Sequence, residues 1–325
     1  MSVLNELLNK WLKMTLPPVQ SGFLECSPST EVGDFFSYYQ LDSIAGTGRL
    51  AYWHHQSWRL VLHVWMPDRI EPLGTLILCH GLFDHMAIYR PMVQLALDLG
   101  YCVVGVDLPG HGLSSGERGR IDDFADYQRI LLGLYDHLAR LQMPVPWHGL
   151  GQSTGGGILW SHLLEHPDSP LKEIMLLAPL VRPASFRQVQ WSYRAFGSWV
   201  NATPRTFRVN SADSEFIQFT HYRDPLQPRQ MSMAWVRAML DWEHRWRNSP
   251  KKCLRRIQIV QGGRDQTVDW TYNLVFLHRH FPAARILFVE HASHHLANEA
   301  VHLRQPVEFR LRYMLESSHQ KRPPE

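Results

Sequence analysis

Five consecutive residues, Gly151-Gln152-Ser153-Thr154-Gly155, carry the strongest chemical signal in the sequence. A serine hydroxyl is a weak nucleophile at neutral pH, and it becomes useful only when exposed by its backbone and deprotonated by a neighbouring base. A G-x-S-x-G turn that leaves a strand and enters a helix achieves the exposure. Residues 145–150 read as that strand and 155–165 as that helix. Glycine is expected at both flanking positions because a side chain there collides with the neighbouring strand or helix. Five residues matching a loose pattern also arise by chance. The rest of the chain must therefore supply a base, an acid to orient it, and donors for an oxyanion.

Residues 260–268, directly after a strand-like run, offer the acid. Gly262 and Gly263 let the backbone turn there and aim Asp265 over the sheet. Asp269 competes for the role, although it falls within or beside the next helix. The base is expected in the loop after residues 285–289, which contains His291, His294 and His295. A loop position just before the following helix suits His294 best, with His295 second and His291 third. One oxyanion donor is expected to be the N–H of Thr154, in the unpaired first turn of its helix. The other is the N–H of Leu82, in the loop at residues 80–85 where Gly81 permits the turn. His80 reads as a structural hydrogen-bonding residue. Three side chains and two amides suffice for acyl transfer, so no metal or organic cofactor is implied.

Such a site needs a sheet whose strand ends bring distant loops together. Residues 60–65, 75–79, 101–106, 145–150, 173–178, 255–260 and 285–289 read as short apolar strands. Helix-like runs at 90–99, 122–141 and 155–165 alternate with them, the second presenting Phe124, Tyr127, Ile130, Leu131, Leu134 and Leu138 on one face. This β-α-β rhythm with continuously apolar strands indicates an α/β fold, a mostly parallel central sheet flanked by helices. The rhythm breaks at residues 182–250, which are expected to form a helical cap inserted after the sixth core strand, the core being 1–181 and 251–325. The insertion carries ten Arg against five acidic residues. Its aromatic stripes are packing faces first, and Trp191, Tyr193, Phe196, Trp235 and Trp242 are the candidates for lining a substrate pocket.

At 325 residues the chain can bury a large core. A net charge of +3 gives no case for nucleic-acid binding, and twelve Trp suggest apolar surfaces beyond an ordinary core. Cys26, Cys79, Cys102 and Cys253 are widely spaced, which favours buried thiols in a reducing compartment. No apolar run is long enough to cross a bilayer, and the first residues lack a signal-peptide layout, so a cytoplasmic location is expected. Val3, Leu4, Leu7, Leu8, Trp11 and Leu12 recur at helical spacing until Pro17-Pro18. Two readings stand side by side: residues 1–16 lie peripherally on the inner face of a membrane, or they dock on their own domain.

These residues resemble those of α/β-hydrolases of the monoacylglycerol lipase and lysophospholipase group, sometimes placed with serine aminopeptidases. The resemblance rests on His80-Gly81-Leu82, the run from Asp107 to Arg118, the turn at Ser153, Asp265 and His294. The glycine-rich run, followed by Asp123-Phe124 and Tyr127, is the most specific part and is similar to that of bacterial lysophospholipases of the L2 type. Monoacylglycerol lipases usually place His before and Met after the serine, where this chain has Gln152 and Thr154. The resemblance implies a Ser-His-Asp esterase acting through an acyl-enzyme on a lysophospholipid or monoacylglycerol, and the arginine-rich insertion inclines the reading toward a phosphate head group. A peptidase or small-ester hydrolase of the same fold is the alternative. A ligand-binding protein with a hydrolase fold is the second.

Overall fold

The computed structural model describes residues 2–318 apart from 21, 26, 45 and 198. Two helices, α1 (Ser2–Leu12) and α2 (Thr30–Tyr38), precede the strands β1 (Thr47–His55), β2 (Trp58–Met66) and β3 (Thr75–Cys79). There follow α3 (Arg90–Asp98), β4 (Cys102–Asp107), α4 (Ala125–Arg140), β5 (Trp147–Gln152), α5 (Thr154–Glu165) and β6 (Leu171–Leu177). Between β6 and the next sheet strand lie α6 (Phe186–Phe196), β7 (Ala202–Pro204), α7 (Ser214–Gln218), β8 (Gln230–Ser232) and α8 (Met233–Arg247). The chain ends with β9 (Gln258–Gly262), α9 (Trp270–His280), β10 (Arg285–Val289) and α10 (Val301–Ser317).

Eight strands form one sheet in the order β1-β2-β4-β3-β5-β6-β9-β10, while β7 and β8 pair separately. β2 runs antiparallel to both its neighbours, and the other five pairings are parallel. The alternation of side chains along each strand divides the interior into two cores. Leu76 and Leu78 of β3 enter one and Ile77 and Cys79 the other; Val103 of β4 faces the first and Val104 the second. The first core is closed by α3 and α10 through Met92, Val93, Leu311 and Leu315. α4, α5 and α9 close the second through Leu131, Leu159, Trp160 and Phe276. A parallel sheet covered on both faces is thus what the apolar strands required.

Several elements fall outside the sequence-based expectations: α2 and β1, and within the insertion α7 and the paired strands β7 and β8. Only Leu50, Ala51 and Trp53 of β1 are buried, so the segment lacks a continuous apolar run. It is a strand because β2 pairs with it from Thr47↔Met66 to His55↔Trp58 around a tight turn, with Gln56 at φ 52°. The turn uses neither Gly nor Asn, the usual signals for that conformation. Cys79, Cys102 and Cys253 are buried free thiols; Cys26 lies outside the described residues. Burial pushes the Cys79 thiol up to about 12.

α8 fixes the insertion to the α4–α5 side of the sheet. Trp242 lies 4.9 Å from the rings of both Phe124 and Trp160, and Trp235 lies 5.5 Å from Phe124. Trp235 and Trp242 are therefore packing residues. At the other end of the chain, α1 docks on α2. Trp11 is buried among Phe35, Tyr38 and Tyr39 at 4.9–5.6 Å, and Lys10 pairs with Asp34 at 2.7 Å. That leaves Val3 and Leu12 as the exposed large apolar side chains of α1. No helix is long and apolar enough to cross a membrane among the described residues.

Asp224 ties these parts together from within the insertion. It is fully buried and accepts from Tyr39 Oη at 2.7 Å, Gln227 Nε2 at 3.0 Å and the Leu226 amide at 3.0 Å, while its other contact is His85 Nε2 at 2.9 Å. Burial alone would lower the pKa of His85, but Asp224, with Asp107 and Asp84 behind it, raises it above its ordinary 6.5. The same pairing outweighs burial at Asp224 and holds it below 3.8. The pair therefore stabilises the fold fully between those two ordinary values. It weakens as pH rises through the raised value of His85 or falls through the lowered value of Asp224. Asp224→Asn is expected to destabilise the protein by about 3 kcal/mol at pH 6, read from urea unfolding midpoints. The deficit should shrink at alkaline pH, and a deficit independent of pH would place the lost interaction elsewhere.

Candidate active site

Ser153 stands between β5 and α5 at φ 53°, ψ −113°, a conformation an L-residue adopts only when its surroundings enforce it. The enforcement is visible in the backbone. The Ser153 N–H donates to Leu177 O at 2.8 Å, and its own carbonyl accepts from Gly157 at 3.0 Å and Leu180 at 2.9 Å. A Cβ on Gly155 would stand 2.0 Å from the carbonyl oxygen of Cys79, and one on Gly151 would stand 2.5 Å from Gly155 O. The collision expected from the sequence is therefore real at both glycines.

Asp265 and His294 meet across the loops that follow β9 and β10. His294 Nδ1 lies 2.7 Å from Asp265 Oδ2, which also accepts from Gln261 Nε2 at 3.0 Å. Asp265 Oδ1 accepts from the amides of Thr267 at 2.7 Å and Val268 at 3.1 Å. Burial alone would raise the Asp265 pKa, but His294 and those amides outweigh it and hold the carboxyl below its usual range. A carboxylate on Nδ1 selects the tautomer whose Nε2 can accept a proton. The loop glycines act differently from the sequence expectation. Neither Gly262 nor Gly263 has positive φ; a Cβ on Gly262 would stand 2.2 Å from Ser293 O and one on Gly263 2.4 Å from Glu290 O. Glycine is needed there so that the two loops can touch.

The rival residues have other partners. Asp269 caps α9, accepting from the Tyr272 amide at 3.2 Å. His295 Nε2 sits 3.2 Å from Asp84 Oδ2, and Asp84 also accepts from Tyr89 Oη at 2.7 Å. His291 is exposed, 3.5 Å from Arg264 Nη2. His80 accepts from the Leu108 amide at Nε2, 2.9 Å, which leaves its Nδ1 to donate to Gly81 O at 2.8 Å. Burial lowers its pKa and keeps it neutral for that role.

Leu82 lies in a loop that packs against the serine, since a Cβ on Gly81 would stand 3.3 Å from Ser153 Cβ. A turn closed by Asp84 N–H to Gly81 O at 3.2 Å holds the loop, with Phe83 at φ 71°. Among the described residues the Leu82 N–H donates to no protein acceptor. Thr154 is the first residue of α5, so its amide is unused by the helix. A serine on a strained turn, a histidine oriented by a carboxylate and two free amides, one on the Leu82 loop and one at the start of α5, are the parts that acyl transfer uses.

Some partners escaped the sequence reading. Gln152 Nε2 donates to His294 O at 2.9 Å, so the residue beside the serine holds the histidine loop. Asp107 accepts from the amides of Met86 and Leu113, both at 2.8 Å, and contacts His63 Nε2 at 3.0 Å. It thereby fixes the Leu82 loop to the glycine-rich run. The conspicuous Asp107–Gly116 pattern was the available signal for Asp107; nothing local marked Gln152. Of the aromatic residues of the insertion, Trp191 and Phe196 are exposed and meet edge-on at 6.3 Å, while Tyr193 is partly buried against the α4–α5 core. Gly155→Ala is expected to cost at least about 3 kcal/mol by overpacking, read as a fall in thermal midpoint. Near wild-type stability would mean that α5 can shift to make room.

The family model for serine aminopeptidase, S33, matches residues 70–300. The monoacylglycerol lipase of Mycolicibacterium smegmatis is 32% identical over 109 residues, 34% of this chain and 39% of that protein. The phospholipase YtpA of Bacillus subtilis is 24% identical over 215 residues, 64% of this chain and 81% of that protein. The match thus spans about two-fifths of the former relative and about four-fifths of the latter. A soluble variant of monoglyceride lipase from Saccharomyces cerevisiae, solved with a substrate analog, superimposes with a TM-score of 0.71 at 16% identity, covering 84% of this chain and 96% of that one. The Paleococcus ferrophilus monoacylglycerol lipase gives 0.66 at 18% identity over 79% and 98%. At those identities the structures testify to the fold, and the family match over residues 70–300 testifies to descent: this chain belongs to the serine aminopeptidase S33 family of α/β-hydrolases.

Proposed function

We propose that the protein is a carboxylic ester hydrolase that releases a fatty acid from a lysophospholipid or monoacylglycerol. The observation that carries this reading is the 2.7 Å contact of His294 with Asp265, in a loop held by the residue next to Ser153. Ser153 Oγ attacks the acyl carbonyl as His294 Nε2 takes its proton. Asp265 keeps the ring in the required tautomer and stabilises its charged form. The amides of Leu82 and Thr154 receive the developing oxyanion. His294 then returns the proton to the departing alcohol, and a water deprotonated by His294 hydrolyses the acyl-enzyme.

The names of the relatives, lipases and a phospholipase, support a lipid ester over a small soluble one. Residues 182–250 serve as a cap, in which Phe186 is the buried aromatic residue of α6 and Tyr193 is partly buried. Trp191 and Phe196, 67% and 58% exposed, present apolar surface for approach to a lipid aggregate. They offer a larger area than the Val3 and Leu12 left free on α1, through which residues 1–16 would make any peripheral contact with a membrane. Three buried free thiols agree with a cytoplasmic setting. An aminopeptidase would need an acidic anchor for the substrate amine, and residues 182–250 are net basic, with ten Arg against five acidic residues.

Ser153→Ala is expected to abolish hydrolysis of oleoyl esters, with circular dichroism unchanged. Asp265→Asn and His294→Ala should each lower kcat by at least about 10³-fold. The assignment fails if Ser153→Ala retains much of its activity, or if His295→Ala is as damaging as His294→Ala. Turnover of aminoacyl-naphthylamides in preference to lipid esters would move the protein to the peptidase reading.

A further inference from the structure

The stretch between β7 and α7 borders the candidate site on three sides. Arg208 Nη1 donates to Gln266 O at 2.6 Å, next to Asp265. The His295 amide donates to Asn210 O at 2.7 Å, next to His294. Beyond them Ser211 Oγ donates to Asn298 O and the Ala212 amide to Glu299 Oε2, each at 2.7 Å. At the other end the Arg205 guanidinium lies 4.1 Å from the ring centroid of Phe83, the residue after Leu82. One short run of chain thus touches the acid loop, the base loop and the loop of the proposed oxyanion donor.

Arg205 of this run is joined by Arg229, which lies just before β8. Arg205 and Arg229 flank Phe207, their guanidinium carbons 4.4 and 5.0 Å from its centroid, and the His221 ring packs on Phe207 at 4.8 Å. Arg205 Nη1 donates to neutral acceptors, Gln227 Oε1 at 2.7 Å and Pro228 O at 3.3 Å, and Arg229 Nη1 to His221 O at 2.6 Å. Among the described residues none of Arg205, Arg208 and Arg229 forms an ion pair with a carboxylate. Arg182, Arg237, Arg245 and Arg247 of the same insertion do, while Arg187, Arg194 and Arg223, which form none among the described residues either, are exposed. Burial, reinforced by Arg229, pushes Arg205 down to about 10, although Asp84 and Asp224 act in the opposite sense. Those two carboxylates already face His295 and His85. A guanidinium held on an aromatic ring by neutral acceptors is oriented without being neutralised, and an oxyanion ligand supplies what is missing.

We propose that Arg205 and Arg229, with Arg208 beside the acid loop, form a phosphate site that holds the head group of a lysophospholipid while its acyl ester lies at Ser153. The assignment rests on the reading of Ser153 as an esterase nucleophile. It makes the three arginines the determinants that separate a phosphorylated acyl ester from a monoacylglycerol, whose uncharged glycerol leaves them without a counter-charge.

The test compares 1-oleoyl-lysophosphatidylglycerol with 1-oleoylglycerol in the same non-ionic micelles, using the full chain. Wild type should favour the phosphorylated ester. Arg205→Gln and Arg229→Gln should each lower the ratio of the two kcat/KM values at least about tenfold, through KM of the phosphorylated substrate, with partial recovery in Arg205→Lys. The exposed Arg208→Gln gives the same direction if Arg205→Gln fails to fold. No preference in wild type, or a ratio unchanged in the variants, overturns the proposal. Inhibition by inorganic phosphate without any substrate preference also overturns it, because the site would then serve free phosphate. Should wild type hydrolyse neither ester, the esterase reading falls by itself. Calorimetric titration of inorganic phosphate still tests the site, and equal affinity in wild type and Arg205→Gln overturns it.

Discussion

Helix α5 meets the ends of β3 and β5 so closely that a Cβ on Gly155 would stand 2.0 Å from the Cys79 carbonyl oxygen. Much of the geometry around Ser153 follows from that approach. It brings the N-terminus of α5 against the point where β3 becomes the Leu82 loop, so two unpaired amides come near one serine. It also leaves Ser153 no relaxed conformation, since its N–H and carbonyl are both committed to neighbouring backbone. The strain at φ 53° is sustained by contacts distributed over β5, β6 and α5.

Buried carboxylates then set the loops that the sheet leaves free. Asp107 joins the Leu82 loop to the glycine-rich run, and Asp84 joins it to His295. Asp265 fixes His294, and Asp224 fixes His85. Each takes a histidine as partner, and each has further donors that satisfy the carboxylate. Four histidines close in the fold are thereby sorted by the acid each one faces. Among the described residues only His294 pairs with the carboxylate in the loop after β9.

The strands, the flanking helices and the turn at Ser153 were legible because each is a local pattern: an apolar run, a helical period, or a pair of glycines around a serine. Asp265, the candidate acid, stood out for a similar reason, as an Asp beside two glycines directly after a strand, with Asp269 as its rival. Other features depend on what a segment meets. β1 has few buried positions and is a strand because β2 pairs with it. Loop position ranked His294 ahead of His295 and His291, but the partners that separate them, Asp265 for His294 and Asp84 for His295, were not legible. Trp235 and Trp242 show the opposite case. Their spacing correctly announced a helix face, but the sequence could not say that Phe124 and Trp160 occupy the far side of it.

The N-terminal helices lie outside the stretch shared with the family, yet they reach the centre of the molecule. Trp11 seats against Tyr39, Tyr39 bonds Asp224 in the insertion, and Asp224 holds His85 at the end of the Leu82 loop. A polypeptide trimmed to residues 70–300, the stretch the family model matches, would lose the phenol that shares this carboxylate. Trp11 and Tyr39 thus brace the insertion through Asp224, so the smallest unit that keeps the native architecture exceeds the smallest unit that sequence comparison identifies.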